Sequence, residues 1–200
     1  DGLCEPLNPC ILDRVDSVKK AGKLLVGYAG GHNASNELNL LLEAMIGIDQ
    51  NRIHCFLVGK GTEKENLKAF SNQHSLPVDF FEPISKNQVG SFLKEMDVLY
   101  AGGKTRPLYR FGIAPNKIID YLLSAKPVIQ PINSPNDLVE SAGAGFKLHH
   151  GTPEELRMVF NKFISMPKNE SVEMGLSGRR YALKKLAYKK LAQDFILNIS

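Results

Sequence analysis

The chain lacks tryptophan altogether, has three cysteines in 200 residues, and contains no apolar run approaching the roughly 18 residues that a membrane-spanning helix takes. No basic stretch followed by an apolar one opens it, so no secretory leader is read there. Cys4, Cys10 and Cys55 are too few for a disulfide framework. Cys55 sits inside the apolar run of residues 53–58, where a thiol is a small hydrophobe, while Cys4 and Cys10 flank a Pro- and Asn-rich opening in which a bridge or two free thiols both fit. A reducing, cytoplasmic setting is the preferred expectation. No His/Cys/Asp spacing of a metal centre is present and His149-His150 is a poor chelate, so no metal and no other cofactor is expected. A G-x-S-x-G elbow and a Walker loop are also missing.

What remains is an ordinary globular composition, 43% hydrophobic and 23% charged with 17 glycines and 11 prolines. The net charge is +4, but six cations and no acid fall within residues 179–190, which leaves the rest of the chain at −2. The body therefore carries no nucleic-acid footprint. The basic segment reads either as a solvated helix face or as a peripheral contact with the inner face of a membrane.

Short apolar runs at residues 23–28, 53–58, 78–81, 97–101, 127–132 and 146–148 read as strands buried on both faces. Between them the period becomes helical: Leu38, Leu41, Leu42 and Met45 follow i, i+3, i+4, i+7, and Val89, Phe92, Leu93 and Met96 repeat that spacing. Thr62 with Glu65 and Ser85 with Gln88 read as capping boxes, and Ser134-Pro135 and Thr152-Pro153 as caps followed by proline. The expected fold is α/β, a doubly wound parallel sheet of about six strands with helices on both faces. It spans residues 23–166, after an interdomain linker or arm at 1–22 that ends in a short charged helix and before C-terminal helices at 167–200.

In such sheets ligands sit beyond the carboxyl ends of the strands. The loop after the first strand carries Gly30, Gly31 and His32 but is not G-x-G-x-x-G, and no acid ends the second strand, which disfavours a dinucleotide dehydrogenase. After the second strand, Gly59-Lys60-Gly61 is either a phosphate-holding turn or a plain glycine turn with a solvated lysine. The loop after the fourth strand holds Lys104, Arg106, Arg110 and Lys117 and no acid, ends at Pro115-Asn116 on a helix N-terminus, and suits a diphosphate. Asp120, one turn on, is placed to accept from ribose hydroxyls or to be a solvated helix acid.

Several stretches resemble the C-terminal, nucleotide-sugar-binding half of GT-B glycosyltransferases of the group 1 or family 4 type. Val58-Gly59-Lys60-Gly61 is similar to the family's VGxG turn, and Phe80-Phe81-Glu82-Pro83-Ile84 to its F-x-G-x-(I/V) segment. Met96-Asp97-Val98 matches an aDv strand, residues 115–128 are similar to PxKxxEYxAxGkPV, and Ala142-Gly143-Ala144-Gly145 matches agaG. Asp1-Gly2 is similar to the close of the family's N-terminal domain, which implies a fragment without its acceptor-binding half. The resemblance implies donor phosphates near Gly30 and Gly31, a base against Pro83 and Ile84, a diphosphate on Pro115, Asn116 and Lys117, and ribose on Asp120. It also implies a UDP-sugar donor, an acceptor in surface polysaccharide or glycolipid assembly, and catalytic groups in the other half.

The departures from the family are specific. Asp120 stands for the second of the family's paired glutamates and Gly112 for the first, while Tyr28 and Asn36 stand where the family has its phosphate-binding Arg and Lys. Lys60, Lys104, Arg106, Arg110 or Lys117 is expected to supply the missing charge. Two other readings share the same loops: a non-catalytic nucleotide-binding or regulatory module, and half of a GT-B-like nucleotide-sugar epimerase.

Overall fold

The structure, a computed structural model, describes residues 4–104, 106–112, 116–132 and 134–187. Among these, six strands form one sheet: β1 (Leu24–Ala29), β2 (Ile53–Val58), β3 (Val78–Phe81), β4 (Val98–Tyr100), β5 (Val128–Gln130) and β6 (Gly145–Lys147). Their order is β3-β2-β1-β4-β5-β6, and every neighbouring pair is parallel. The six expected runs are the six strands, each within two residues at either end.

Alternate side chains of each strand feed different cores. Val26, Tyr28, Cys55 and Leu57 point to one face, where α2 (Leu38–Met45), α3 (Lys64–Gln73) and α7 (Pro153–Ser165) cover them with Leu41, Leu42, Leu67 and Phe160. Leu25, Phe56 and Leu99 point to the other face. There α1 (Pro9–Lys20), α4 (Lys86–Glu95), α5 (Asn116–Leu123), α6 (Leu138–Ser141) and α8 (Lys168–Lys185) supply Val15, Phe92, Tyr121, Val139 and Ala182. The segment expected as an arm is thus largely α1, which buries Ile11, Val15 and Val18. Glu5, just before it, accepts from the Ser85 hydroxyl at 3.2 Å and the Asn87 amide at 3.1 Å, so the chain ahead of α1 runs along α4. No described helix is long and apolar enough to cross a membrane. Cys4, Cys10 and Cys55 are all free thiols.

Two expected caps are corrected. Thr62 does not cap α3: its N–H donates to Asn33 Oδ1 at 3.3 Å and that of Glu63 to the His32 carbonyl at 2.9 Å, so the preceding loop already takes these donors. Glu65 turns instead to Lys68 at 2.8 Å. Ser134 does not start α6 either; Asp137 does, accepting from the Glu140 N–H at 2.8 Å. A carboxylate is the stronger acceptor for a free helix N–H. The other two caps form as expected, Ser85 with Gln88 on α4 and Thr152 accepting from the Glu155 N–H at 3.2 Å on α7.

Candidate functional site

The sheet order reverses between β1 and β4, so the loops after these strands open a crevice at the switch point. After β1 the chain passes Gly30 and Gly31 into a 3-10 turn at Ala34–Asn36. After β4 it passes Gly102 and Gly103, and a second 3-10 turn at Pro107–Phe111 leads toward α5. The two loops touch closely: a Cβ on Gly102 would lie 2.2 Å from the Asn36 carbonyl, and the Lys104 N–H donates to the Ser35 carbonyl at 3.0 Å.

Lys117 enters this crevice from the first turn of α5. Its ammonium donates to Asn36 Oδ1 at 2.7 Å and, more weakly, to the Tyr28 hydroxyl and the Gly102 carbonyl, both at 3.4 Å. It also lies 4.9 Å from the centre of the Tyr28 ring. The Tyr28 hydroxyl and the Asn36 amide both donate to the Gly31 carbonyl, at 2.8 and 2.9 Å. Every partner of the ammonium is neutral, and no carboxylate pairs with it among the described residues. Burial lowers its pKa to about 8.

The loop after β2 is stitched to the loop after β1. The His32 N–H donates to the Lys60 carbonyl at 2.9 Å, and a Cβ on Gly59 would lie 1.8 Å from the Gly30 carbonyl, so only glycine permits the approach. The His32 ring is wholly buried between Tyr28 and Phe80, with both ring nitrogens unpartnered among the described residues. Burial first, and Lys64 second, push its pKa down to about 4, so the ring is neutral and only its backbone serves the site. Lys64 is buried as well. Its ammonium donates to the Gly59 and Phe81 carbonyls, both at 2.9 Å, and to Glu82 at 2.7 Å, tying the ends of β2 and β3 together. Sequence reading missed it, because a lysine in the first turn of an amphipathic helix carries no signal of burial.

Gly30, Gly31 and Lys117 therefore come together, with Tyr28, Asn36 and Gly102 as partners that complete the crevice. Pro83 and Ile84 follow β3 and line a separate cleft of about 330 Å³ with Asn8, Cys10 and Ile11 of the α1 end. Asp120 is exposed and lines a third cleft, of about 470 Å³, beside Lys86 and Asn87 at the start of α4, the helix that the Pro83-Ile84 loop feeds. Asn116 is exposed on the first turn of α5. Lys60 and Arg110 are exposed, the Arg110 guanidinium 4.6 Å from the centre of the Phe111 ring, and neither bonds into the crevice among the described residues. Pro115 lies outside the described residues. Also among the described residues, no group of three or more His, Cys, Asp or Glu side chains is gathered as a metal would need.

This arrangement, an open parallel sheet with an ammonium in the crevice at its switch point, is that of the doubly wound α/β domains. The model of the family described as glycosyl transferases group 1 matches residues 12–181, and the chain belongs to that family. Its fold is that of the C-terminal half of GT-B glycosyltransferases, as comparison with solved structures shows. HepE of Anabaena in complex with UDP-glucose is 16% identical with a TM-score of 0.76, covering 97% of this chain and 53% of that one. The C-terminal domain of LpcC, a group 1 family glycosyltransferase of Francisella tularensis, is 14% identical with a TM-score of 0.69, covering 93% of this chain and 97% of that one. WaaG, a glycosyltransferase involved in lipopolysaccharide biosynthesis, is 16% identical with a TM-score of 0.72, covering 96% of this chain and 54% of that one. The chain thus spans about half the length of HepE and of WaaG. None of the curated protein sequences compared with the chain matches it.

Proposed function

We propose that this chain is the donor-binding half of a hexosyl- or N-acetylhexosaminyl-type glycosyltransferase that takes its sugar from a UDP-sugar. The acceptor belongs to surface polysaccharide or glycolipid assembly. The observation that carries the reading is the Lys117 ammonium, half-buried at the switch point among neutral acceptors with no counter-ion among the described residues. A buried charge is costly without an opposite one, and a diphosphate supplies it. Lys117 is the cation that stands in for the family's Arg and Lys, since it bonds to Tyr28 and Asn36, the residues occupying their places.

As the bond from sugar to diphosphate breaks, negative charge grows on the leaving oxygen. Lys117 is placed to stabilise it. Uracil lies against Pro83 and Ile84, and Asp120 accepts from the ribose. The acceptor, and any general base, come from outside these 200 residues, so this chain alone binds donor and transfers nothing. The UDP and UDP-glucose held by HepE support the choice of base.

Titration calorimetry of UDP, GDP and UMP into the 200-residue chain tests the reading. UDP binds better than UMP, and Lys117→Met weakens UDP at least about tenfold, which is about 1.4 kcal/mol. Absence of UDP binding at millimolar concentration overturns it.

A further inference from the structure

The described portion of the basic segment, residues 179–187, lies on a different face from the crevice and lines another cleft. Along α8, Val172, Leu176, Arg179 and Leu183 follow i, i+4, i+7, i+11 and share one side of the helix. Three of them are apolar yet open to solvent, Val172 at 46%, Leu176 at 38% and Leu183 at 59%. Arg179 and Leu183 look across the cleft of about 470 Å³ toward Lys86 and Lys94 of α4, and Leu123 of α5 lies in it, itself 39% exposed. Lys184 and Lys185 follow in the last turn.

Charge selects the partner. Among the described residues none of Lys86, Lys94, Arg179, Lys184 and Lys185 forms an ion pair. Against these five cations stand Asp120 in the cleft, Glu5 bonded to the cleft residue Asn87, and Glu170 of α8, while Glu173 is already paired with Arg180, so cations remain in excess. Among the described residues the cleft lining holds no aromatic side chain on which a nucleic-acid base could stack. Exposed leucines beside unpaired lysines and arginines are instead the chemistry of an interfacial helix: the apolar groups enter the boundary between headgroups and acyl chains, and the cations meet anionic headgroups.

We propose that the face built by α8 with α4 and α5 docks on a bilayer carrying anionic lipid. Asp120 lines the same cleft and the Pro83-Ile84 loop feeds α4, so docking holds one rim of the donor site against the membrane. The inference stands apart from the donor reading, since lipid binding needs none of the crevice residues.

The test is co-sedimentation of the 200-residue chain with vesicles of phosphatidylcholine alone or with about one-third phosphatidylglycerol, at about 0.1 M and 0.5 M salt. The expected result is a partition coefficient at least about tenfold higher with the anionic lipid, falling as salt rises. The triple variant Arg179→Glu, Lys184→Glu, Lys185→Glu loses at least about tenfold. The double variant Leu123→Gln, Leu183→Gln loses severalfold while its melting temperature and UDP titration stay those of the parent. Binding indifferent to lipid charge, or unchanged in the triple variant, overturns the proposal. So does binding unchanged in the leucine variant, which would mean adsorption without insertion, and so does tighter binding of duplex DNA that the vesicles cannot displace. A protein that fails to bind UDP yet passes these arms would sink the donor reading and leave this one intact.

Discussion

At the scale of residues, Lys117 and Gly112 carry the sharpest consequences. Below about pH 8 the Lys117 ammonium is charged in both the folded and the unfolded chain, and folding bears its full desolvation cost. Between about pH 8 and 10.5 the folded chain has released that proton while the unfolded chain keeps it, so the stability attributable to Lys117 rises with pH. Chemical denaturation of the parent and of Lys117→Met should show their difference moving by about 3 kcal/mol in favour of the parent from pH 7 to 10.5. A difference that does not move would mean that the ammonium is not desolvated. A bound diphosphate should restore the proton, so UDP binding near pH 9 takes up protons, seen as a dependence of binding heat on buffer ionisation. Gly112 is different in kind, because its constraint is one of backbone conformation. Its φ of 100° and ψ of 165° belong to a region open essentially to glycine alone, and an added Cβ would lie 3.0 Å from the Asn136 side chain. Gly112→Glu therefore costs on the order of 1–3 kcal/mol in denaturant titrations. A neutral or stabilising outcome would show that the backbone here adapts, and that the glycine carries no conformational constraint.

At the scale of elements, α4 links the fold to the cleft at Pro83 and Ile84. Its N-terminus is closed by the Ser85–Gln88 box, with the Ser85 N–H donating to Gln88 Oε1 at 3.3 Å, and the same serine hydroxyl reaches Glu5 at 3.2 Å. Ser85→Ala removes an N-cap and should cost about 1 kcal/mol in thermal or urea unfolding. Because Pro83 and Ile84 directly precede the cap, the same change should weaken UDP a few-fold. Full stability with weakened UDP would separate the loop from the helix. Elements such as α4 are legible in sequence because their apolar period and their caps are local. The Thr62 and Ser134 expectations failed because a cap depends on what else competes for the helix N–H groups. For α3 the competitor is Asn33, 29 residues away in sequence, and for α6 it is Asp137, three positions on. The placement of α1 was illegible for a related reason: Ile11, Val15 and Val18 are too sparse to announce a buried face until the sheet supplies its other half.

At the scale of the whole molecule, the parallel sheet follows from composition and rhythm, since near-continuous apolar runs separated by amphipathic helices admit little besides a doubly wound architecture. The site was legible only in part. Loop glycines and cations marked the switch point. That Lys117 rather than Lys60 or Arg110 enters the crevice depends on the length of the Gly102–Gly112 loop and on the side chains of Tyr28 and Asn36 that receive it. One measurement joins fold and site. If the crevice closes on UDP and both cores melt as a unit, a ligand at about 100 times its Kd adds about 2.7 kcal/mol to stability. For a chain of 200 residues that corresponds to a rise in Tm of about 5–10 °C. UMP, lacking the β-phosphate proposed to meet Lys117, should give a much smaller rise at the same concentration, and NAD none, because no acid ends β2 to hold its ribose. Gly59→Ala, which drives a Cβ into the Gly30 carbonyl at 1.8 Å, should lower the unliganded Tm and abolish the UDP shift together. A Gly59→Ala variant that melts as the parent does and still responds to UDP would show that the close approach of the β1 and β2 loops is not what builds the phosphate cradle.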